Sequence, residues 1–475
     1  MKKWVGVAIS TALLAAACSG GGGGKSSAGT ATGGTGGTNA PGATKPPAKG
    51  ACPVGAVAAS AQKPVQITMW HSMTQANLQT LTKLTDQFNA SHPDIHVNLV
   101  NQTSYEDTLT KYKAVLGGGQ RPDVVQVQDV DQQLVIDSRS TLPVQDCIAA
   151  EHTDTSDFMA KALSYYTVQG TLYSLPFALS NPVLYYNKAA FVKAGLDPNT
   201  PPATLDDLRA DSQKIVQSGA AKYGLALKDD PWHLEEWSAM AGALYANNGN
   251  GRTGRATAAE FGGPVGQQVY SWLSGMARDK LAESTPFVGF DNLLAIGNNV
   301  AAMTIDTSAA LGTIFSVLAT GQYKNVTLGV APLPGPVAGG PTIPAGSSLF
   351  VTSGTSPARE EAAFMFAEWL TEAPQQAQWA AGTGYMPVRT SAVSLPALQQ
   401  AWAARPELRV AYDQLTRGAN TVAAQGPVIG DMEGVRTDVE NAETKLFQGS
   451  DPATTLKQLV SDANSVISDY NARVG

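Results

Sequence analysis

Val65-Gln-Ile-Thr-Met-Trp70 alternates apolar and polar side chains, the pattern of a strand with one face buried. Leu78, Leu81, Leu84 and Phe88 follow at helical spacing and share one face of a helix. His96-Val-Asn-Leu-Val100 predicts a second strand, and Tyr105, Leu109, Tyr112 and Leu116 predict a second helix that Gly117-Gly-Gly119 stops. Asp123-Val-Val-Gln-Val-Gln128 predicts a third strand. Strands alternating with helices at this pace mean parallel βαβ units and an α/β sheet. Further on the chain turns helical. Ser356-Pro357 opens a helix, because proline loses nothing at the first turn. Val435, Val439, Ala442 and Leu446 form a stripe ended by Gly449. Asp451-Pro452 opens a last helix with Leu456, Leu459, Ala463, Val466 and Tyr470 on its inner side. No repeat of about 20–50 residues is visible, which excludes solenoids and propellers.

Composition narrows the function. The 475 residues are 43% hydrophobic and 15% charged, too apolar for disorder and enough for two or three domains. With 32 basic against 39 acidic residues and a net charge of −7, the chain lacks the basic surface that nucleic acid demands. Three cysteines and five histidines exclude a multi-cysteine zinc cage. Pro93 separates His92 from His96 and breaks any helical metal pair, so no metal site is expected. There is no Gly-x-Ser-x-Gly elbow, and Glu235-Glu236 and Glu360-Glu361 read as solvated helix faces. No catalytic residue and no cofactor is expected. An extracellular hydrolase acting on glycosides or phosphoesters stays open, because its two carboxylates need meet only in space.

The first residues read as an address. Lys2 and Lys3 precede an apolar run, Trp4 to Ala17, that ends at Ala15-Ala-Ala-Cys18. This resembles a bacterial lipoprotein signal, whose cysteine carries the lipid, although Leu14 sits one position further from the cysteine than is usual. An ordinary signal with an incidental Cys18 is the alternative. On the first reading, residues 1–17 are removed. Residues 18–51, rich in Gly, Ser, Thr and Pro, form a lipid-anchored tether of roughly 30 Å, from about 5–6 Å times the square root of length. The globular part then works outside the cytoplasm, on the outer face of the bacterial cell membrane, touching it through the anchor only. Export permits disulfides. With Cys18 lipidated, Cys52 and Cys147 are expected to bond, two separate buried thiols being the alternative.

Ligands of open α/β sheets lie beyond the carboxyl ends of the strands. Asp129 directly follows the third strand, Ser180-Asn-Pro182 interrupts two apolar runs, and Gly346-Ser-Ser348 precedes Leu349-Phe-Val351. Each is a candidate contact, although each taken alone reads first as a turn former or a satisfied polar group.

Seven short motifs then occur in one order: Trp70-His-Ser-Met73, Phe88-Asn-Ala90, His92-Pro-Asp94, Pro122-Asp-Val-Val-Gln-Val127, Ser180-Asn-Pro-Val-Leu-Tyr-Tyr-Asn-Lys188, Ala194-Gly-Leu-Asp-Pro198 and Thr383-Gly-Tyr-Met-Pro387. Together they resemble the extracellular solute-binding proteins of ABC importers, in the maltose-binding-like group, and most of all its branch specific for glycerol 3-phosphate. The resemblance implies a two-lobed periplasmic-binding-protein fold of class II, with a ligand cleft between lobes joined by crossing hinge segments. It implies one solute-binding domain over residues 52–475. Lobe one would take about 52–177 and 309–352, and lobe two about 178–308 and 353–475. The implied partners are a small-molecule solute and ABC permease subunits with a cytoplasmic ATPase, and the implied state is a monomer. Carried over by position, the ligand contacts fall on Tyr105, Asp129, Ser180, Thr307, Gly346 and Tyr385, with Asp306 beside them where the family has a small neutral residue. The family's phosphate-binding arginine aligns with Val428. Losing that bidentate partner removes the strongest contact to a phosphate. A sugar, polyol or glycerophosphodiester is therefore the expected ligand. The alternative is glycerol 3-phosphate itself, held by Arg436 or another base. Trp70, Trp232 and Trp237 are further candidates for a cleft wall, or for core.

Overall fold

The computed structural model describes residues 52–474; the signal-like segment, Cys18 and the whole of the tether lie outside them. The three strands expected from alternation form as β1 (Val65–His71), β2 (Ile95–Asn101) and β3 (Val124–Gln128), with β1 parallel to both others. They are followed by β4 (Thr141–Leu142), β5 (Leu175–Ser180), β6 (Pro182–Asn187), β7 (Tyr223–Lys228), β8 (Ala282–Thr285), β9 (Ala301–Thr307), β10 (Leu328–Pro332) and β11 (Ala345–Thr352). One sheet runs β2-β1-β3-β11-β4, with β5 also paired to β11; the other runs β8-β7-β9-β6-β10.

Each sheet contains a central strand that runs against its neighbour. β11 is antiparallel to β3, and Ser347 near its start pairs with Gln128 at the end of β3. β6 is antiparallel to β9, and Pro182 at its start pairs with Thr307 at the end of β9. The cause is the crossing. β5 lies in the first sheet and β6 in the second, with Asn181 alone between them. A strand arriving from the other lobe enters at the edge where the parallel strands finish. The carboxyl ends of both sheets therefore face the crossing, the position where open α/β sheets hold ligand. Buried Asn181 binds the crossings together: its Nδ2 donates to the Ile343 carbonyl at 2.6 Å, and its Oδ1 accepts from Thr342 Oγ1 at 3.1 Å. Its own carbonyl accepts the Ser308 N–H at 2.8 Å.

Two hydrophobic cores support the two sheets. The helices α1 (Gln75–Ser91), α3 (Trp232–Met240), α4 (Pro357–Leu370), α5 (Ala373–Gly382), α6 (Val410–Arg417), α7 (Met432–Phe447) and α8 (Pro452–Val474) divide between them, while α2 (Tyr105–Leu116) packs through Leu109 and Tyr112 on a smaller cluster with Val125 and Phe350. Val65, Ile67 and Met69 of β1 and Phe88 of α1 share the first core with Phe364 and Phe366 of α4, Trp379 of α5 and Leu415 of α6. The Phe88 ring meets Phe366 at 4.9 Å and Trp369 at 5.5 Å. Leu184, Leu225 and Ile305 of the second sheet pack instead with the predicted stripe Val435, Val439, Ala442 and Leu446 of α7 and with Leu456, Leu459 and Ala463 of α8. Residues 357–382 thus pack on the first sheet, where the sequence reading had put them with the second; α6 reaches the second sheet as well, with Gln414 accepting the Leu333 N–H at 2.6 Å and donating to the Pro182 carbonyl at 3.0 Å. Periodicity shows that α4 is a helix with apolar residues to bury, but not which of two apolar sheets receives them.

Cys52 and Cys147 are disulfide-bonded, with Cα atoms 5.0 Å apart, and tie the start of the described chain to the first lobe. Glu361 is not solvated as its pairing with Glu360 had implied. It is buried, and its carboxylate accepts the N–H groups of Gly55 at 2.7 Å and Val57 at 2.6 Å.

Candidate functional site

A cavity of about 310 Å³ opens between the carboxyl ends of the two sheets. Tyr105, Asp129, Ser180, Asp306, Thr307, Gly346 and Tyr385 all line it, brought together from the two sheets and the loops beyond them. Beside them stand Glu106, Lys228, Asp230, Trp232 and Arg436.

Local structure explains most of these positions. Tyr105 is the first residue of α2, behind Ser104, whose Oγ accepts the Asp107 N–H at 3.1 Å and caps the helix. Asp129 follows β3 in a short 3-10 turn and is buried, with the Tyr165 hydroxyl donating to it at 3.1 Å. Burial pushes its carboxyl up to about 6, against the pull of Arg436. Tyr385 follows Gly384, which has φ +133° and where a Cβ would lie 2.4 Å from the Ser308 carbonyl, so only glycine lets the chain pass. The Tyr385 and Tyr105 hydroxyls are 3.3 Å apart. Burial pushes Tyr385 up to about 12, which keeps it a neutral donor. Gly346 has φ +115°, and a Cβ there would lie 1.9 Å from the Ala178 carbonyl of β5. Thr307 ends β9, and its carbonyl accepts the Tyr185 hydroxyl at 2.7 Å.

The charges in the wall are largely committed. Asp306 accepts the Thr307 N–H at 2.7 Å and Asn292 Nδ2 at 2.8 Å, and it pairs with Lys228 at 3.4 Å. Its carboxylate serves the wall itself. Arg436 donates from Nε and Nη2 to the two oxygens of Glu235 at 2.7 and 2.8 Å. Although burial works against its charge, Glu235 holds the guanidinium well above its ordinary value. Both bases lining the cavity are therefore already matched by acids. Glu106, Asp129 and Asp230 have no ion-pair partner within 4.0 Å among the described residues, so the surplus charge of the cavity is negative.

Glu235 and Glu236 were expected in water and are instead 3% and 0% exposed. α3 is buried on nearly every side, from His233 to Met240, so it has no solvent face for them to occupy. Glu236 accepts the Ile343 N–H at 2.9 Å and steadies a crossing segment. Among the tryptophans, Trp232 lines the cavity. Trp237 fills the second core with its indole N–H on the Pro334 carbonyl at 2.9 Å, and Trp70 packs on a small cluster around Tyr112 and Phe350. Val428 is buried and does not line the cavity. His92 stacks on Phe88 at 4.1 Å, and no group of three metal-ligating side chains occurs among the described residues. Lys228 ends β7 and Asp230 follows it. The strand-end rule that singled out Asp129 applied to both, and sequence reasoning passed them over.

Residues 83–407 match the profile of the bacterial extracellular solute-binding proteins. The chain belongs to that family. This solute-binding protein is 30% identical over 420 residues to the sn-glycerol-3-phosphate-binding periplasmic protein UgpB of Pectobacterium atrosepticum, covering 86% of the chain and 93% of that relative. It is 30% identical over 413 residues to UgpB of Salmonella typhimurium, covering 84% and 92%. Its fold is shared by UgpB from Mycobacterium tuberculosis, solved in complex with glycerophosphocholine, with a TM-score of 0.72 and 23% identity over 86% of this chain and 99% of that one. It is shared too by the GacH receptor of Streptomyces glaucescens, solved unliganded and with acarbose, with a TM-score of 0.71 and 21% identity over 85% and 99%. Two lobes around a cleft are the architecture of the family, and the solute-binding protein works outside the cytoplasm.

Proposed function

We propose that this protein is the capture subunit of an ABC importer for a small hydroxylated solute: a sugar, a polyol or a glycerophosphodiester with a cationic head group. Tyr105, Asp129, Ser180, Asp306, Thr307, Gly346 and Tyr385 form its binding surface, with Trp232 as an apolar wall. A solute that contacts both lobes favours the state in which they are drawn together, and permease subunits driven by a cytoplasmic ATPase recognise that state. The subunit acts as a monomer, anchored through a lipid on Cys18, and performs no covalent chemistry.

The pairing of both lining bases carries this reading. Lys228 is held by Asp306 and Arg436 by Glu235, while Asp129, Asp230 and Glu106 lack a base. A phosphate monoester dianion entering here finds no unmatched cation and three acids. A hydroxyl finds carboxylates to accept from it and phenols to donate to it. An ammonium head group finds surplus negative charge and the Trp232 ring. Glycerol 3-phosphate remains the second reading, supported by the names of the relatives that share 30% identity. Calorimetric titration separates the two. Glycerophosphocholine or a member of a sugar and polyol panel is expected to bind at least tenfold more tightly than sn-glycerol 3-phosphate, a difference of about 1.4 kcal/mol. Submicromolar binding of sn-glycerol 3-phosphate, with no response to the others, overturns the proposal.

A further inference from the structure

We infer that Glu235 sets the charge selectivity of the cleft by holding Arg436 as a donor fork without net charge. This rests on the reading above that the cleft takes a hydroxylated solute. Arg436 reaches the cavity from the first turns of α7, with its side chain 12% exposed. Glu235 lies behind it on α3, 3% exposed, and does not line the cavity. A guanidinium carries five N–H donors. Two of them, on Nε and Nη2, are taken by the two Glu235 oxygens, and no other protein acceptor engages Arg436 among the described residues. Three donors remain for a ligand.

The pair separates two properties that an arginine ordinarily delivers together. Geometry survives, because the planar fork is fixed from behind and still presents N–H groups to hydroxyl, carbonyl or ester oxygens. Net charge does not survive, because a carboxylate at 2.7 Å cancels it in a buried setting where solvent screens little. An unpaired guanidinium is the side chain best suited to grip a phosphate dianion bidentately. Here that grip is disarmed, and Asp129 and Asp230 add repulsion. Glu235 is thus a positioning residue that acts through Arg436 and decides which class of solute the arginine can read. A purely structural ion pair in the second lobe would have no such effect on ligand choice.

The test compares wild type, Glu235→Gln and the double variant Glu235→Gln with Arg436→Gln. Each is titrated calorimetrically with sn-glycerol 3-phosphate, inorganic phosphate and the uncharged or zwitterionic solutes of the panel, after circular dichroism has established folding. Glu235→Gln is expected to raise the ratio of sn-glycerol 3-phosphate affinity to uncharged-solute affinity at least tenfold. A structural lesion weakens both ligands and leaves the ratio in place; an unchanged or lower ratio overturns the inference. The double variant stands as a test by itself should the single variant fail to fold. Removing a pair that contributes no net charge leaves the ratio within about threefold of wild type, whereas a tenfold loss of relative anion affinity shows Arg436 acting as a net cation and overturns the inference. If wild type binds none of the organic solutes, the capture function falls. The Glu235 inference is then judged on inorganic phosphate, which must bind Glu235→Gln at least tenfold more tightly than wild type.

Discussion

Asp129→Asn should make the empty protein more stable and the binding site worse. Burial lifts the Asp129 carboxyl from 3.8 to about 6, roughly two units, and each unit corresponds to about 1.4 kcal/mol. Between those two values the folded chain holds a proton that the unfolded chain has released, so stability falls as pH rises through that window. Above pH 6 the full penalty of about 3 kcal/mol for the buried charge is present. Asparagine keeps the shape and carries no charge. Urea unfolding at pH 7.5 should therefore show the variant more stable by about 2–3 kcal/mol, with the gap shrinking to about 1 kcal/mol at pH 4.5. Other carboxylates titrate in both proteins and cancel in the difference. In the same preparation, affinity for the solute should drop by about 1.5–3 kcal/mol, the range for a hydrogen bond to a charged group. The opposite signs are the signature of a charge kept for binding rather than for folding. A variant no more stable than wild type at pH 7.5, or a gap that ignores pH, refutes the reasoning.

Gly346→Ala drives a Cβ to within 1.9 Å of the Ala178 carbonyl at φ +115°; a loss of more than about 3 kcal/mol in unfolding experiments, or failure to accumulate folded protein, is expected. Tyr385→Phe removes one hydroxyl of the Tyr105–Tyr385 pair while leaving the ring stacked on Trp379 at 5.3 Å. Solute affinity should fall by about 0.5–1.5 kcal/mol in calorimetry, with the melting temperature nearly unchanged. Cys52 and Cys147 should resist alkylation in folded, unreduced protein, and replacing both with Ser should lower stability by about 2–4 kcal/mol in chemical unfolding, given the 95-residue separation they close.

The sequence carried the secondary structure and the gathering of the site further than it carried the environment of each residue. Alternation in Val65–Trp70 and the stripe from Val435 to Leu446 are local signals, and both elements formed as local physics demands. The seven cleft residues are spread over 280 residues, with only Asp306 and Thr307 adjacent, and no periodicity links Tyr105 to Tyr385. The ordered motifs shared with a known family supplied that link. Three features stayed hidden because they depend on what packs against what. Residues 357–382 chose the first sheet through contacts such as Phe88 on Phe366. Glu235 and Glu236 resemble a solvated pair in any window of sequence, and only the burial of the whole of α3 makes them internal. The matching of Arg436 by Glu235 spans 201 residues and decides the charge of the cleft.

The most direct check is to identify the small molecule that the protein carries. Protein purified without denaturation from the cells that make it, then unfolded, should release close to one equivalent of a sugar, a polyol or a zwitterionic glycerophosphodiester by mass spectrometry, and Asp129→Asn protein should release little. Recovery of a phosphate monoester in that amount, or equal recovery from both proteins, would contradict the account of the cleft.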